Sequence, residues 1–372
     1  MPMNLRHAVG SLMVVGLAAR EVSPLERGWL RVIRPGGVIF FRRNIESAAQ
    51  CRAMLAEASS LCAERAFRCV DMEGGSVDRL RNVLAPTSSA QSLFLAAQQL
   101  RRPALVREQA ELIARAVSAF GFNTNLAPVL DLALPVATEV MGSRVVSADP
   151  LKVADFARQF LDGLQAHGVA GCGKHFPGLG GGALDSHQAT PAIERTMKQM
   201  RAEDLVPFRI LRKDLPMIMV SHAAFPRTPG KNTPASASHF WITKLLREEM
   251  GYRGIVFSDD LEMGGILKFM PMEEAAIAAI RAGMDMIEIC HSPELILRAY
   301  EALLAEAERS SAFRAIVMQR AARLSRARRT LFAAGTARAL TAKQLEALRA
   351  RMVRLADKIA AHQPVARAAQ EA

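Results

Sequence analysis

The residues of this chain whose types and spacing suit chemistry fall in two segments. The first, KHFPGLGGGALDSH (174–187), runs from a Lys-His pair through a Gly-rich stretch to Asp185 and His187, two residues apart. A carboxylate beside an imidazole raises the imidazole pKa and holds the ring in place, which suits a proton donor working near neutral pH. The glycines and proline read as a long βα-loop of the kind that closes over a substrate. The second, FSDDLEM (257–263), sets Asp259 and Asp260 directly after an apolar run. One of two such acids commonly caps the following helix, which leaves the other to face inward as a nucleophile. A carboxylate nucleophile with a separate proton donor suits displacement at an acetal carbon, with a His donor as a variation on the usual pair of carboxyl groups.

These groups need a scaffold that aims them at one point, and the pattern of the chain supplies one. Apolar or β-branched runs recur at 11–17, 37–41, 67–71, 122–128, 168–176, 217–222, 254–260 and 283–289. Segments with helical periodicity lie between them, such as 48–63, 105–119, 150–166, 197–213 and 272–281. Eight alternating units with nearly continuous apolar strands predict an α/β fold, a single-domain (β/α)8 TIM barrel. The barrel is expected over 1–335, followed by a basic C-terminal helix or tail over 336–372. In such a barrel the working groups sit at the C-terminal ends of the strands. Those ends carry Asp71, Asp131, Lys174, His175, His222, Asp259 and Asp260. Five strands aiming acids, His and Lys at one rim point to a functional site.

Composition narrows the class further. The net charge of +12 raises a nucleic-acid partner. However, residues 309–329 hold seven arginines and no acid, and 336–372 hold seven basic and three acidic residues, so the rest is nearly neutral. A basic C-terminal end reads as a solvated helix face, and a nucleic-acid role is disfavoured. The five cysteines are scattered without a CxxC pair, which predicts buried thiols in a reducing compartment rather than a zinc site. Arg6 followed by SLMVVGLAA has the outline of a secretory leader; it is read as a buried first strand. No stretch approaches the roughly 20 apolar residues of a membrane span. A cytoplasmic monomer without membrane association is the expectation.

Several motifs, in order, resemble glycoside hydrolase family 3, and within it the single-domain bacterial β-N-acetylglucosaminidases. They are GGVIFFRRNI (36–45), VDMEGGSVDRL (70–80), NTNLAPVLDL (123–132), GSR (142–144), KHFPG (174–178), DSH (185–187) and SDDLEM (258–263). The resemblance spans about residues 8–335. It implies a retaining exo-glycosidase with Asp259 as nucleophile and His187 as acid/base, paired with Asp185. It further implies that Asp71, Arg79, Arg144, Lys174 and His175 bind the sugar, with His222 a candidate beside them, and that neither metal nor cofactor is required. The implied substrate is terminal β-linked N-acetylglucosamine on muropeptide fragments carrying a 1,6-anhydro sugar. Phosphorolysis of the same bond and a catalytically silent sugar-binding barrel stand as alternatives. The chain departs from the family pattern at Met72, Ser76, Val145, Val146 and Leu179, all around the expected sugar pocket and loop.

Overall fold

All eight apolar runs pair into one closed ring in the structure, a computed structural model that describes residues 4–182, 191–335 and 339–363. The strands are β1 (Met13–Gly16), β2 (Gly37–Phe40), β3 (Phe67–Val70), β4 (Thr124–Asn125), β5 (Ala170–Phe176), β6 (Met217–Val220), β7 (Ile255–Asp260) and β8 (Met286–Ile289). Each lies parallel to its sequence neighbours, and β8 closes on β1 with Met13 opposite Ile287. Every residue of β1, β2, β6 and β8 is buried. One face of each strand fills the barrel and the other meets a helix, which is why these strands read as continuous apolar runs rather than alternating ones.

Helices α1 (Pro24–Ile33), α2 (Ala48–Ser60), α3 (Ala104–Ala119), α4 (Pro150–Gln165), α5 (Met272–Ala282) and α6 (Pro293–Arg309) cover the ring. Their boundaries follow from local chemistry. Ser23 and Glu26 form a reciprocal capping box, Pro24 opens α1, and Arg34 ends it in a left-handed conformation. Helices α3 and α4 approach closely at Gly163, where a Cβ would come within 2.6 Å of the Ala110 Cβ. A larger residue there would push the two helices apart. The expected single helix over 197–213 is instead two short ones, Met197–Ala202 and Val206–Leu211. Pro207 has no N–H to give to the preceding turn, so it starts a new helix instead of continuing the old one.

The C-terminal end is helical, as expected, and docks on the barrel. Helix α7 (Ser311–Leu331) is followed by α8 (Ala342–Ala360), whose Leu348, Met352, Leu355 and Ile359 are buried at helical spacing. The expected boundary at 335/336 falls at residues 336–338, outside the described ones. The arginines of α7 do not form a simple solvated face. Arg320 and Arg323 reach the fully buried Asp285 at 3.6 and 3.3 Å. Arg328 is itself buried and donates to the Glu64 carbonyl. Much of the positive charge therefore fastens this helix to the barrel. All five cysteines are buried free thiols. No helix among the described residues is long and apolar enough to cross a membrane.

Candidate active site

Side chains alternate along a strand, so positions two apart share a face. The parity that puts Cys69 inside the barrel also puts Asp71 there, just past the end of β3. The same rule turns Lys174, Asp259 and Glu288 inward from β5, β7 and β8. All four line a pocket of about 310 Å³ at the C-terminal end of the barrel, in the size range of single-ligand sites.

One wall of the pocket is an ion network. The Lys174 ammonium donates to Asp71 Oδ1 at 2.8 Å and pairs with Glu73 Oε1 at 2.7 Å. Arg144 grips Glu73 with two bonds of 2.8 and 2.9 Å, and Arg79 reaches Asp71 at 3.2 Å. Glu73 and Arg79 are set by a short hairpin of Met72–Gly74 with Val77–Asp78. Its turn needs positive φ at Gly74 and Gly75, at 101° and 60°. Buried Asp78 ties that hairpin down by accepting from Thr87 and from the Leu80 N–H. Burial pushes the Asp71 and Glu73 carboxyls up, but the neighbouring Lys174, Arg79 and Arg144 charges outweigh it and hold both below their ordinary values. The same carboxylates, working against burial, hold the Lys174 ammonium more firmly than usual.

His175 completes this wall. Its Nδ1 lies 2.7 Å from Asp131, and its Nε2 is 3.4 Å from Arg144. Asp131 is 1% exposed and also accepts the Leu179 N–H at 2.8 Å. It therefore orients both the imidazole and the first turn of the Gly-rich segment. Leu179 lines the pocket, as do Gly182 and Pro191, the described residues on either side of 183–190. Asp185 and His187 lie outside the described residues.

The opposite wall carries acids that form no ion pair with Lys or Arg among the described residues. Asp260 accepts the Glu262 N–H at 3.0 Å and so closes the turn after β7, which is the capping role expected of one member of the pair. Among the described residues, the Asp259 carboxylate accepts only the neighbouring Asp260 N–H, at 2.9 Å. His222 does not line the pocket. It sits behind β7, 1% exposed, with Nε2 donating to the Asp260 carbonyl at 2.9 Å and Nδ1 accepting from Ser236 at 2.7 Å. Burial holds its pKa below the ordinary value, which favours a neutral ring that supports the end of β7 through these two bonds.

Three further groups on this side were not singled out from the sequence. Glu288 is 2% exposed, and burial followed by the Asp260, Asp71 and Asp259 charges pushes its carboxyl well above the ordinary value. His291 lies 3.5 Å from Asp260 and 3.2 Å from Glu262. Asp260, Cys290 and His291 bring a carboxylate, a thiol and an imidazole within 4.8 Å of one another, donor types that suit a divalent cation. Burial, then Glu288 and Asp260, push the Cys290 thiol well above its ordinary value. Glu73 was within reach of sequence reasoning, since it stands two residues after Asp71. The signal for Glu288 was an acid inside the apolar run GMDMIEI.

A parallel (β/α)8 barrel with a charged pocket at its strand C-termini is built as a TIM-barrel enzyme. Comparison with known proteins makes the class specific. Residues 4–327 match the model of the glycosyl hydrolase family 3 N-terminal domain. The beta-hexosaminidase of Idiomarina loihiensis is 35% identical over 302 residues, covering 81% of this chain and 90% of that protein. A glycoside hydrolase family 3 beta-N-acetylglucosaminidase from Paenibacillus sp. superposes with a TM-score of 0.84 at 32% identity, over 95% of this chain and 69% of that one. NagZ from Neisseria gonorrhoeae, solved with N-trifluoroacetyl-D-glucosamine, gives 0.76 at 27% identity, over 96% and 100%. The chain belongs to glycosyl hydrolase family 3 and is a glycoside hydrolase.

Proposed function

We propose that the protein is a retaining exo-β-N-acetylglucosaminidase that works through a covalent glycosyl-Asp259 intermediate. The observation that carries this reading is the Asp259 carboxylate, without an ion pair among the described residues, facing a pocket whose opposite wall is an ion network. Asp259 attacks the anomeric carbon as the glycosidic C–O bond breaks, and His187, paired with Asp185, protonates the departing oxygen. Water then attacks the same carbon while His187 takes its proton, which releases the sugar with its configuration retained. Asp71, Arg79, Arg144, Lys174 and His175 hold the hydroxyl groups by charge-assisted hydrogen bonds. The names of the relatives and the N-acyl amino sugar bound by the Neisseria protein support the N-acetyl preference. We extend the reading to a cytoplasmic role, with muropeptide fragments bearing a 1,6-anhydro sugar as the natural substrate.

Hydrolysis is favoured over phosphorolysis because Arg79, Arg144 and Lys174 each already face a carboxylate, leaving phosphate to enter beside uncompensated acids. The test is release of p-nitrophenol from the β-N-acetylglucosaminide and the β-glucoside, with and without phosphate. Release from the N-acetyl substrate alone, without a sugar 1-phosphate product, is expected. His187→Ala should slow substrates with poor leaving groups most. An equal loss for activated aryl glycosides would count against its role as proton donor.

A further inference from the structure

The pocket floor contains one residue that the mechanism above does not use. Layers in such a barrel are filled in turn by alternate strands. The layer beneath the charged ring draws on the even-numbered ones: Ile39 from β2, Leu126 just past β4, Met219 from β6 and Glu288 from β8, all lining the pocket. Three members are apolar, as a barrel core requires. The fourth is a carboxylic acid.

Nothing among the described residues accounts for it. The backbone N–H of Glu288 donates to Ser258 Oγ at 3.0 Å, and its carbonyl accepts the Leu261 N–H. Those bonds hold the strand in register and would survive any side chain. Among the described residues the carboxyl itself forms no ion pair, and its Oε1 has no hydrogen-bond partner. The network on the far wall shows what this chain does with a buried carboxylate that serves structure: Glu73 has two cations on it. A buried polar atom left without a partner destabilises the fold, and Leu at this position would fill the layer as Leu126 does. An acid kept there, aimed into the cavity, fits a group that enters with the ligand.

We propose that Glu288 is a substrate-contacting residue, hydrogen-bonding through its carboxyl to one ring hydroxyl of the sugar in the pocket and selecting for sugars that carry it. The proposal rests on the glycosidase reading. Its chemistry is specific. Burial, then the Asp260, Asp71 and Asp259 charges, push the carboxyl toward its neutral form, which both donates and accepts and therefore suits a hydroxyl rather than a cation or an anion. A neutral carboxyl also sits beside Asp259 without adding a second like charge there.

The experiment pairs wild type with Glu288→Leu and Glu288→Met, which copy the neighbours in the same layer, and with Glu288→Gln, which keeps a donor and an acceptor. Each is assayed with p-nitrophenyl β-N-acetylglucosaminide and its analogues lacking the hydroxyl at C3, C4 or C6. In wild type, the analogue missing the contacted hydroxyl should fall by about ten- to a hundredfold in kcat/KM. In the Leu and Met variants that single penalty should collapse to about twofold or less, with the other two unchanged, and in Gln it should persist. A merely structural role would lower all four substrates together and leave every penalty as it is in wild type, which overturns the proposal. If wild type does not cleave the parent substrate, the glycosidase reading fails and this one with it. If wild type cleaves it and no penalty moves, only the role of Glu288 fails.

Discussion

The two walls of the pocket are built on opposite principles. On the β3 and β5 side, Asp71 and Glu73 meet Lys174, Arg79 and Arg144 in a buried network where each charge has a partner. On the β7 and β8 side, Asp259, Asp260 and Glu288 stand together, and among the described residues the rim imidazole of His291 is the one group that forms an ion pair with them. The difference separates holding from reacting. A carboxylate clamped between cations is fixed and weakly basic, so it suits a rigid frame for sugar hydroxyls. A carboxylate without a cation keeps its nucleophilicity, and crowding like charges forces one member of the group to stay neutral.

The sharpest way to break this contrast is to neutralise adjacent acids one at a time. Asp259→Asn should lower kcat/KM by roughly 10³-fold or more, about 4 kcal/mol of transition-state stabilisation. Asp260→Asn keeps an acceptor for the Glu262 N–H and should stay within about tenfold of wild type. Equal losses would mean that pairing does not decide which acid attacks. On the other wall the large effect should be on stability. Lys174→Met takes one cation from each of two buried carboxylates, leaving Asp71 with Arg79 and Glu73 with Arg144, and should cost about 3 kcal/mol, read as a lower urea midpoint at unchanged slope.

The smallest effect is a contrast in pH dependence. Asp71 and Glu73 have lowered values, so their contribution is full above the ordinary carboxylate range and is lost as pH falls through the depressed values. Glu288 is raised, so its contribution is full below the ordinary value and is lost as pH rises through the raised one. In urea titrations across pH, Glu73→Gln should flatten the acid limb and Glu288→Gln the alkaline limb. The reverse assignment would contradict the charge states given to the two walls.

Much of this was legible in the sequence, for physical reasons. Strands buried on both faces leave uninterrupted apolar runs, and all eight were readable. Strand ends marked Asp71, Lys174, His175 and Asp259, because period two ties the last inward position to the rim. What escaped depended on partners distant in sequence. His222 has the same strand-end signature as His175, yet Ser236 and the Asp260 carbonyl occupy both its nitrogens. Glu73 owes its place to Arg144, 71 residues away. The α7 arginines read as solvent-facing because nothing local announces Asp285 as their buried target.

The central claim is that Asp259 attacks. The direct measurement is peptide mapping by mass spectrometry after reaction with a fluorinated N-acetylglucosaminyl donor bearing a good leaving group, which slows hydrolysis of any glycosyl-enzyme. The account predicts a single glycosyl adduct on Asp259. An adduct on Asp260, or turnover of the donor with no adduct at Asp259, would contradict it.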